Sequence, residues 1–422
     1  MASKGTGKGN KKSRQYSRER SIIACCGFTL AMLVPVGAAH AGGFTVLYSF
    51  QGGKDGSRPH GTLIADPSGN LYGTTFAGGL RDCRDTGYRC GTVFKIAKNG
   101  TEKVLYRFTG REDGMQPIGG VIRDSGNNLY GTTTGGPFGQ GTNGSVFEFA
   151  ADGSEKTLFS FPGPLPASPS DSLLLLNGVL YGTAETAGTG ANCTNGCGFV
   201  FKLTTAGAET ALHQFGYGED GEFPMANVIS DASGNLYGTT FSGGTYDLGT
   251  VFKIAANGTE SVLHSFAGGD DGFLPYGGLV ADASGDLYGT TSGGGGGGNG
   301  CDGGNGCGIV FEIAPNGSET VLYRFAGGTD GGNPYAGLTR DKAGNLYGTT
   351  GAGGGNGCQL GYGCGTVFEI TAGGQEHILY AFSGGSDGAN PYGGLLIEKN
   401  VLYGTTTVGG SGGNGVVFKI DK

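Results

Sequence analysis

Residues 277–291 read GGLVADASGDLYGTT, and the end of this stretch, Leu-Tyr-Gly-Thr, occurs seven times in the chain. The tyrosines of the seven copies are Tyr72, Tyr130, Tyr181, Tyr237, Tyr288, Tyr347 and Tyr403, at intervals of 51 to 59 residues. Self-similarity at a period of about 40–60 residues indicates a solenoid, a repeat array or a propeller. Most of the chain therefore serves a repeated scaffold, and the repeat alone assigns no activity.

Each repeat reads as four short strands separated by turn residues. In the unit that begins at Gly277, the strands are residues 278–281, 287–291, 309–313 and 319–325. The last two strands are joined by Asn316-Gly317, a pair that favours a tight hairpin because both residues tolerate positive φ. No long run shows helical periodicity, so we predict an all-β fold.

Seven four-stranded units predict a seven-bladed β-propeller. The two ends of the chain supply a more specific argument, because the last unit stops at its third strand, residues 416–420. The missing type of strand stands at the other end, as residues 44–50. We expect this N-terminal strand to complete the last blade and close the ring, since closure leaves no sheet edge open.

Residues 1–41 have the composition of a secretory signal peptide. A segment with seven Lys and Arg residues precedes an apolar stretch from Ile22 to Ala39, and Ala39-His40-Ala41 offers small residues for cleavage. A single membrane anchor is the alternative, but Pro35 and Gly37 interrupt a span of marginal length. We therefore expect a mature chain, residues 42–422, that forms the propeller, is secreted or held at the cell surface, and is not inserted in the membrane.

The charge of the mature chain disfavours two classes of partner. Removing residues 1–41 leaves 20 basic and 34 acidic residues, a formal charge of −14. Such a surface repels nucleic acids and anionic membranes unless a local basic patch intervenes, and the sequence shows no such patch. We expect no nucleic-acid binding.

The cysteines of the mature chain form four close pairs. They are Cys83/Cys90, Cys193/Cys197, Cys301/Cys307 and Cys358/Cys364. All four pairs lie between the second and third strands of their units, so we predict four local disulfides in an exported protein. Thiolate ligation of a metal is the alternative. It needs four ligands to converge, and a ring would hold these loops apart, so we expect no metal and no cofactor.

The variable loops are predicted to share one face of the propeller, and that face is the candidate binding surface. The loops that link one blade to the next carry an Asp-Gly pair at Asp55, Asp113, Asp220, Asp271, Asp330 and Asp387. A ring of carboxylates suits Ca²⁺. An Asp that bonds its own turn accounts for the same pattern, and this interpretation is favoured.

The residue that follows the loop proline is the second feature of this face. In six units it is His60, Ile118, Met225, Tyr276, Tyr335 and Tyr392, each at the start of an innermost strand near the channel mouth. Tyr276, Tyr335, Tyr392 and His60 are the candidates for a binding platform for a sugar or a peptide. Packing between blades is the favoured interpretation, since Ile118 and Met225 occupy the same place.

No catalytic constellation stands out, and we name no catalytic residue. The chain has no His-Glu-x-x-His and no phosphate-binding glycine loop. His213 and His264 replace the Tyr of other fourth strands, which favours a structural role. Carboxylates are abundant, so a polysaccharide lyase or glycoside hydrolase with its site at the channel mouth is the alternative to a non-enzymatic protein.

The repeating unit resembles the GloVer tandem repeat of exported bacterial proteins. The resemblance rests on Gly-Gly-Leu-x-x-Asp-x-x-Gly-Asn-Leu-Tyr-Gly-Thr-Thr, Gly-Thr-Val-Phe-Lys-Ile and Asn-Gly-Thr-Glu-x-Val-Leu-Tyr-x-Phe, and it covers nearly all of residues 44–420. Unit three departs most, at residues 162–169 and 173–176. The resemblance implies export and a repeat fold without an assigned reaction. We expect a scaffold for extracellular binding, with a glycan or a surface protein as partner.

Overall fold

The computed structural model describes residues 43–79, 90–135, 143–162, 167–169, 171–188, 193, 196–216, 218–296, 301, 306–355, 358 and 363–422. Within these ranges the chain forms seven antiparallel sheets arranged as a seven-bladed β-propeller. The predicted all-β fold is confirmed. None of the helices in the described ranges is both long and apolar enough to cross a membrane. The segment predicted as a signal peptide lies outside these ranges.

The strands are short and follow one another at the spacing of the repeat. In chain order they are β1 (Phe44–Ser49), β2 (Ser57–Pro59), β3 (Ile64–Ala65), β4 (Leu71–Ala77), β5 (Thr92–Ile96), β6 (Glu102–Arg107), β7 (Ile122–Arg123), β8 (Leu129–Thr133), β9 (Ser145–Phe149), β10 (Glu155–Ser160), β11 (Leu174–Leu176), β12 (Val179–Ala184), β13 (Phe199–Thr204), β14 (Glu209–Gln214), β15 (Ile229–Ser230), β16 (Leu236–Thr240), β17 (Thr250–Ile254), β18 (Glu260–Ser265), β19 (Val280–Ala281), β20 (Leu287–Thr291), β21 (Ile309–Ile313), β22 (Glu319–Arg324), β23 (Thr339–Arg340), β24 (Leu346–Thr350), β25 (Thr366–Ile370), β26 (Glu376–Ala381), β27 (Leu396–Glu398), β28 (Val401–Thr406) and β29 (Val416–Asp421). Short 3₁₀ turns at Gly269–Asp271 and Gly328–Asp330 lie in loops between blades.

Six blades each take four consecutive strands, and the seventh takes strands from both ends of the chain. Blade 1 is β3–β6, with β2 paired beside β3 on β4, and blades 2 to 6 follow as β7–β10, β11–β14, β15–β18, β19–β22 and β23–β26. Blade 7 has the order β27, β28, β29 and β1, with Phe44 opposite Ile420 and Ser49 opposite Val416. The predicted closure by the N-terminal strand is confirmed.

The Leu and Gly of the repeated motif build the core of each blade. The seven leucines are at most 3% exposed. The seven glycines face the ring of a phenylalanine on the third strand, and a Cβ added to any of them would lie 2.5–2.7 Å from that ring's Cζ. Real carbon atoms do not approach so closely, so only Gly lets the second and third strands carry this buried Phe.

The first Thr of the motif joins neighbouring blades. In six blades its buried hydroxyl donates to a backbone carbonyl of the next blade's inner segment, at 2.8–3.3 Å. The pairs are Thr74–Gly119, Thr132–Asp171, Thr183–Ala226, Thr239–Gly277, Thr290–Ala336 and Thr349–Gly393. The seventh hydroxyl, that of Thr405, is buried without a partner in the described residues. The hydrogen bond is thus missing only where blade 7 meets blade 1.

The six loop aspartates lie at the outer junctions between neighbouring blades, which we call the seams. Each accepts a hydrogen bond from a backbone N–H of its own loop, as the turn interpretation predicts. Each also contacts a Tyr or His on the outer strand of the preceding blade, in the pairs Tyr48–Asp55, Tyr106–Asp113, His213–Asp220, His264–Asp271, Tyr323–Asp330 and Tyr380–Asp387. His213 and His264 therefore make the contact with Asp that Tyr makes in four other seams.

A glutamate from the following blade approaches several of these aspartates. Burial and the neighbouring Asp carboxylates raise the pKa of Glu102 and Glu260 to about 7. Burial and an adjacent Asp likewise raise the pKa of Glu319 and Glu376 to about 8. One carboxyl oxygen of each of these four residues is buried without a hydrogen-bond partner in the described ranges. Such a pair of acids is most stable when it holds one proton.

We expect Gly289→Ala to destabilise the protein by about 1–3 kcal/mol, because the new methyl group would lie 2.5 Å from Phe311 Cζ. Urea unfolding followed by circular dichroism measures the change. Gly373→Ala is the matched control, since the nearest atom to its added Cβ is 3.7 Å away and its φ is not positive. Equal stabilities of the two variants would contradict this account of the motif.

The seam glutamates should make the fold more stable at pH 5 than at pH 8. Their folded pKa values lie above the ordinary 4.5, so the folded state keeps protons that the unfolded chain releases. The stabilisation is complete below about pH 4.5 and is lost as the pH rises through about 7–8. We expect the thermal midpoint to rise by about 3 °C or more on acidification from pH 8 to pH 5.

The combined variant Glu102→Gln, Glu260→Gln, Glu319→Gln and Glu376→Gln tests the source of this dependence and should flatten it. Its control replaces three exposed glutamates, Glu112, Glu219 and Glu398, by Gln. The control should keep the dependence of the original chain. A midpoint that falls between pH 8 and pH 5 in the unmodified protein would refute the assignment.

Candidate functional site

The seven blades surround a central cavity of about 720 Å³. Each blade contributes the short segment that follows its loop proline, immediately before the innermost strand. Glycine or alanine is common in these segments, and it leaves room at the axis where the blades converge. A cavity of this size lies within the usual range of small-molecule sites, which is about 300–1,000 Å³.

A continuous set of aromatic rings, which we call the aromatic arc, runs along one side of the cavity, and its members other than Phe241 line the wall. It consists of Phe241, Tyr276, Tyr335, Tyr392 and His60. Neighbouring ring centres are 4.7–5.3 Å apart, and His60 stacks on Tyr392 whereas the other neighbours meet edge to face. The arc has contributions from blades 4, 5, 6, 7 and 1.

The four residues predicted as a platform all lie in the aromatic arc and line the cavity. Each of them is partly exposed. The same position in blades 2 and 4 is filled by Ile118 and Met225, which also line the cavity. The structure therefore brings the predicted residues together, and it adds Phe241, which the sequence analysis did not single out. Whether they bind a ligand stays a prediction.

His60 contributes a neutral ring to the arc. Burial, and next the positive charge of Arg58, lower its pKa to about 4. At neutral pH the imidazole is therefore uncharged, and it adds an aromatic surface with two polar nitrogen atoms rather than a cation. The pKa has to rise by more than two units before His60 carries charge at pH 7.

Two acidic residues of blade 3, Asp171 and Glu185, also line the cavity, and sequence analysis missed both. Asp171 accepts hydrogen bonds from the backbone N–H groups of Ser172 at 2.6 Å and Asn227 at 3.1 Å. Burial raises the pKa of both carboxyl groups. The charge of Glu185 also raises the pKa of Tyr276, after burial, so the two side chains are close enough to interact.

The repeat itself holds a signal for these two acids. Asp171 stands where the other six units have Gly or Ala, and Glu185 stands where they have Phe, Thr, Ser or Gly. Both substitutions fall in unit three, which departs most from the pattern. A residue-by-residue superposition of the units would have singled them out, whereas the search for known catalytic spacings did not.

Disulfides tie the loops of the variable face. Cys193–Cys197, Cys301–Cys307 and Cys358–Cys364 are bonded, with Cα atoms 5.2–5.3 Å apart. These three predicted pairs are confirmed. Cys90 is also disulfide-bonded, and Cys83 lies outside the described residues. Since the half-cystines of a disulfide carry no thiolate, these sulfur atoms are unsuited to hold a metal ion.

Two His-Asp-Glu groups have ligand atoms within 4.8 Å of one another, and both belong to the seams. They are His213/Asp220/Glu260 and His264/Asp271/Glu319. Tyr takes the place of His in equivalent seams, with the same contact to Asp. Tyr is a poor substitute for a His ligand but a good hydrogen-bond donor, so the shared arrangement indicates a structural hydrogen-bond network.

The chain belongs to the Gloeobacter/Verrucomicrobia repeat family. The family model matches residues 38–194, 83–301, 139–360 and 301–422, which together cover residues 38–422. The resemblance to the GloVer repeat is thereby confirmed. No curated protein matches the sequence.

Two solved structures show a similar fold at low sequence identity. One is the extracellular domain of a putative one-component system from B. thetaiotaomicron, with 9% identity, a TM-score of 0.52, and coverage of 89% of this chain and 39% of the other. The second is an oligogalacturonate lyase from Vibrio parahaemolyticus, with 8% identity, a TM-score of 0.52, and coverage of 90% and 93%. At such identities the likeness concerns the fold alone.

Proposed function

We propose that this protein is an exported, non-enzymatic binding module that takes a carbohydrate in its central cavity, with the aromatic arc as the contact surface. The observation that carries the proposal is the arc itself, in which Tyr276, Tyr335, Tyr392 and His60 present partly exposed rings to one cavity. Binding sites typically combine such an apolar aromatic wall with a few polar groups that fix orientation.

A sugar suits this wall because its ring has an apolar face of C–H groups and an edge of hydroxyl groups. Tyr residues offer both a ring for the apolar face and a hydroxyl for the polar edge. Asn227 and Glu185, on other parts of the wall, add groups that can bond to sugar hydroxyls. The ligand would thus meet complementary chemistry on both of its surfaces.

Three observations support export. Three confirmed disulfides suit an oxidising compartment. The composition of residues 1–41 is that of a signal peptide, and one protein of similar fold is an extracellular domain. We place the mature chain, residues 42–422, outside the cytoplasm, either secreted or at the cell surface.

We expect the purified protein to bind glycans on an array, and the combined variant Tyr276→Ala, Tyr335→Ala and Tyr392→Ala to lose at least about tenfold in affinity. Aromatic anchors of this kind often contribute more than about 1 kcal/mol each. Tyr246→Ala is the control, because Tyr246 is 58% exposed and does not line the cavity.

A variant with Phe at the same three positions keeps the rings and should keep most of the binding. It separates loss of contact from loss of fold. If the array shows no glycan bound by the original chain, the carbohydrate proposal is wrong, and a protein partner at the cell surface becomes the better hypothesis.

An enzyme acting on polysaccharides, either a lyase or a hydrolase, is the second candidate. The observation in its favour is the pair Asp171 and Glu185, two carboxyl groups with raised pKa values in the same cavity. A carboxyl group whose pKa is raised by burial is suited to the role of a general acid. The same pair is also suited to simple binding, so turnover has to be measured.

Incubation with a panel of polysaccharides separates the two candidates. We expect no new reducing ends and no unsaturated products from any bound polysaccharide. Products that appear with the original chain and disappear with Glu185→Gln would establish the enzyme instead, with Glu185 as a catalytic residue.

A further inference from the structure

We infer that the carbohydrate bound in the central cavity carries a free amino group, held as an ammonium ion between Glu185 and the aromatic arc. This inference rests on the proposed carbohydrate binding and adds the chemical class of the sugar. The repeat pattern does not account for Glu185, because an acid stands at this position in one unit only.

Glu185 lines the cavity, and its carboxyl group has no partner among the described residues. No hydrogen bond or ion pair joins its side chain to another residue in the described ranges, and burial alone accounts for its raised pKa. The side chain of Glu185 is partly exposed, so its carboxyl group is only partly desolvated. A cationic group in the cavity would offset this partial desolvation and favour the ionised form of Glu185.

The aromatic arc also favours a cation, because aromatic faces attract cations as well as sugars. The faces of Tyr rings carry negative partial charge, and a cation within about 6 Å of a ring centre is stabilised. Tyr276 and Glu185 line the same cavity, and the charge of Glu185 contributes to the raised pKa of Tyr276. An ammonium group in the cavity between them would interact favourably with the carboxylate and with the electron-rich ring.

The rest of the cavity wall carries no basic side chain among the described residues. Neither Lys nor Arg is among the described residues that line the cavity, and His60 is neutral at pH 7. The carboxyl groups on the wall are those of Asp171 and Glu185. The cavity therefore repels an anionic sugar such as a uronate and attracts an amino sugar, and the net charge of the mature chain acts in the same direction.

Isothermal titration calorimetry with two matched oligosaccharides tests the inference. The probes are a β-1,4-linked glucosamine tetramer and its fully N-acetylated counterpart, each titrated into the purified protein at neutral pH and constant ionic strength. We expect the free amine to bind at least about tenfold more tightly, as is typical of a charged hydrogen-bonded contact. Glu185→Gln should reduce this ratio to about one.

Asp270→Asn is the matched control for charge. It also removes one negative charge, but its side chain is 83% exposed and lies outside the cavity wall. The control should keep the preference for the free amine. If it loses the preference as Glu185→Gln does, the effect comes from net charge and the inference is wrong. Thermal unfolding of both variants verifies that they are folded.

The remaining outcomes separate the inference from the proposed function. If both tetramers bind equally to the original chain and the triple Tyr→Ala variant binds neither, the cavity binds carbohydrate and the inference about the amine is wrong. Tighter binding of an oligogalacturonate than of the glucosamine tetramer would also overturn it. If no oligosaccharide binds here or on the array, both the inference and the carbohydrate proposal are wrong.

Discussion

The contact between a motif glycine and a third-strand phenylalanine is the constraint on which the rest of this structure depends. A Cβ at any of the seven glycines would overlap the ring. The ring can therefore lie directly against the second strand, where it fills the core of its blade. Because each blade has this arrangement, all seven have closely similar inner strands, and the chain can close into a ring of nearly equal parts.

Blade 7 differs from the other blades because it takes strands from both ends of the chain. Its outer strand comes from the N-terminal end, where Phe44 stacks on Tyr380 at 3.8 Å and stands where other seams have a glutamate. At the other side of this blade, where blade 7 meets blade 1, the buried hydroxyl of Thr405 has no partner in the described residues. Blade 7 thus differs from the other blades at both of its junctions, by an aromatic contact with blade 6 and by a missing hydrogen bond to blade 1.

The fold could be predicted from the sequence because its information is local and repeated. The motif, the hairpin turns and the split last unit each follow from neighbouring residues, and together they fix seven blades and their closure. The positions of Tyr276, Tyr335 and Tyr392 also followed, since they hold equivalent places in consecutive blades. His60 belonged to the same prediction, because closure of the ring brings blade 1 beside blade 7.

The acidic side of the cavity could not be predicted, for a different physical reason. Asp171 and Glu185 are 14 residues apart, with no recognised spacing, and they line the same cavity as Tyr276 only because the blades converge on one axis. A ring of identical units would place the same side chain at every equivalent position of the wall, and all sides of the cavity would then be chemically alike. Unit three breaks that equivalence and sets acids against the aromatic arc. The substitutions that distinguish unit three from the other units therefore make one part of the wall acidic, opposite the aromatic arc. A cavity with two unlike sides can orient a ligand.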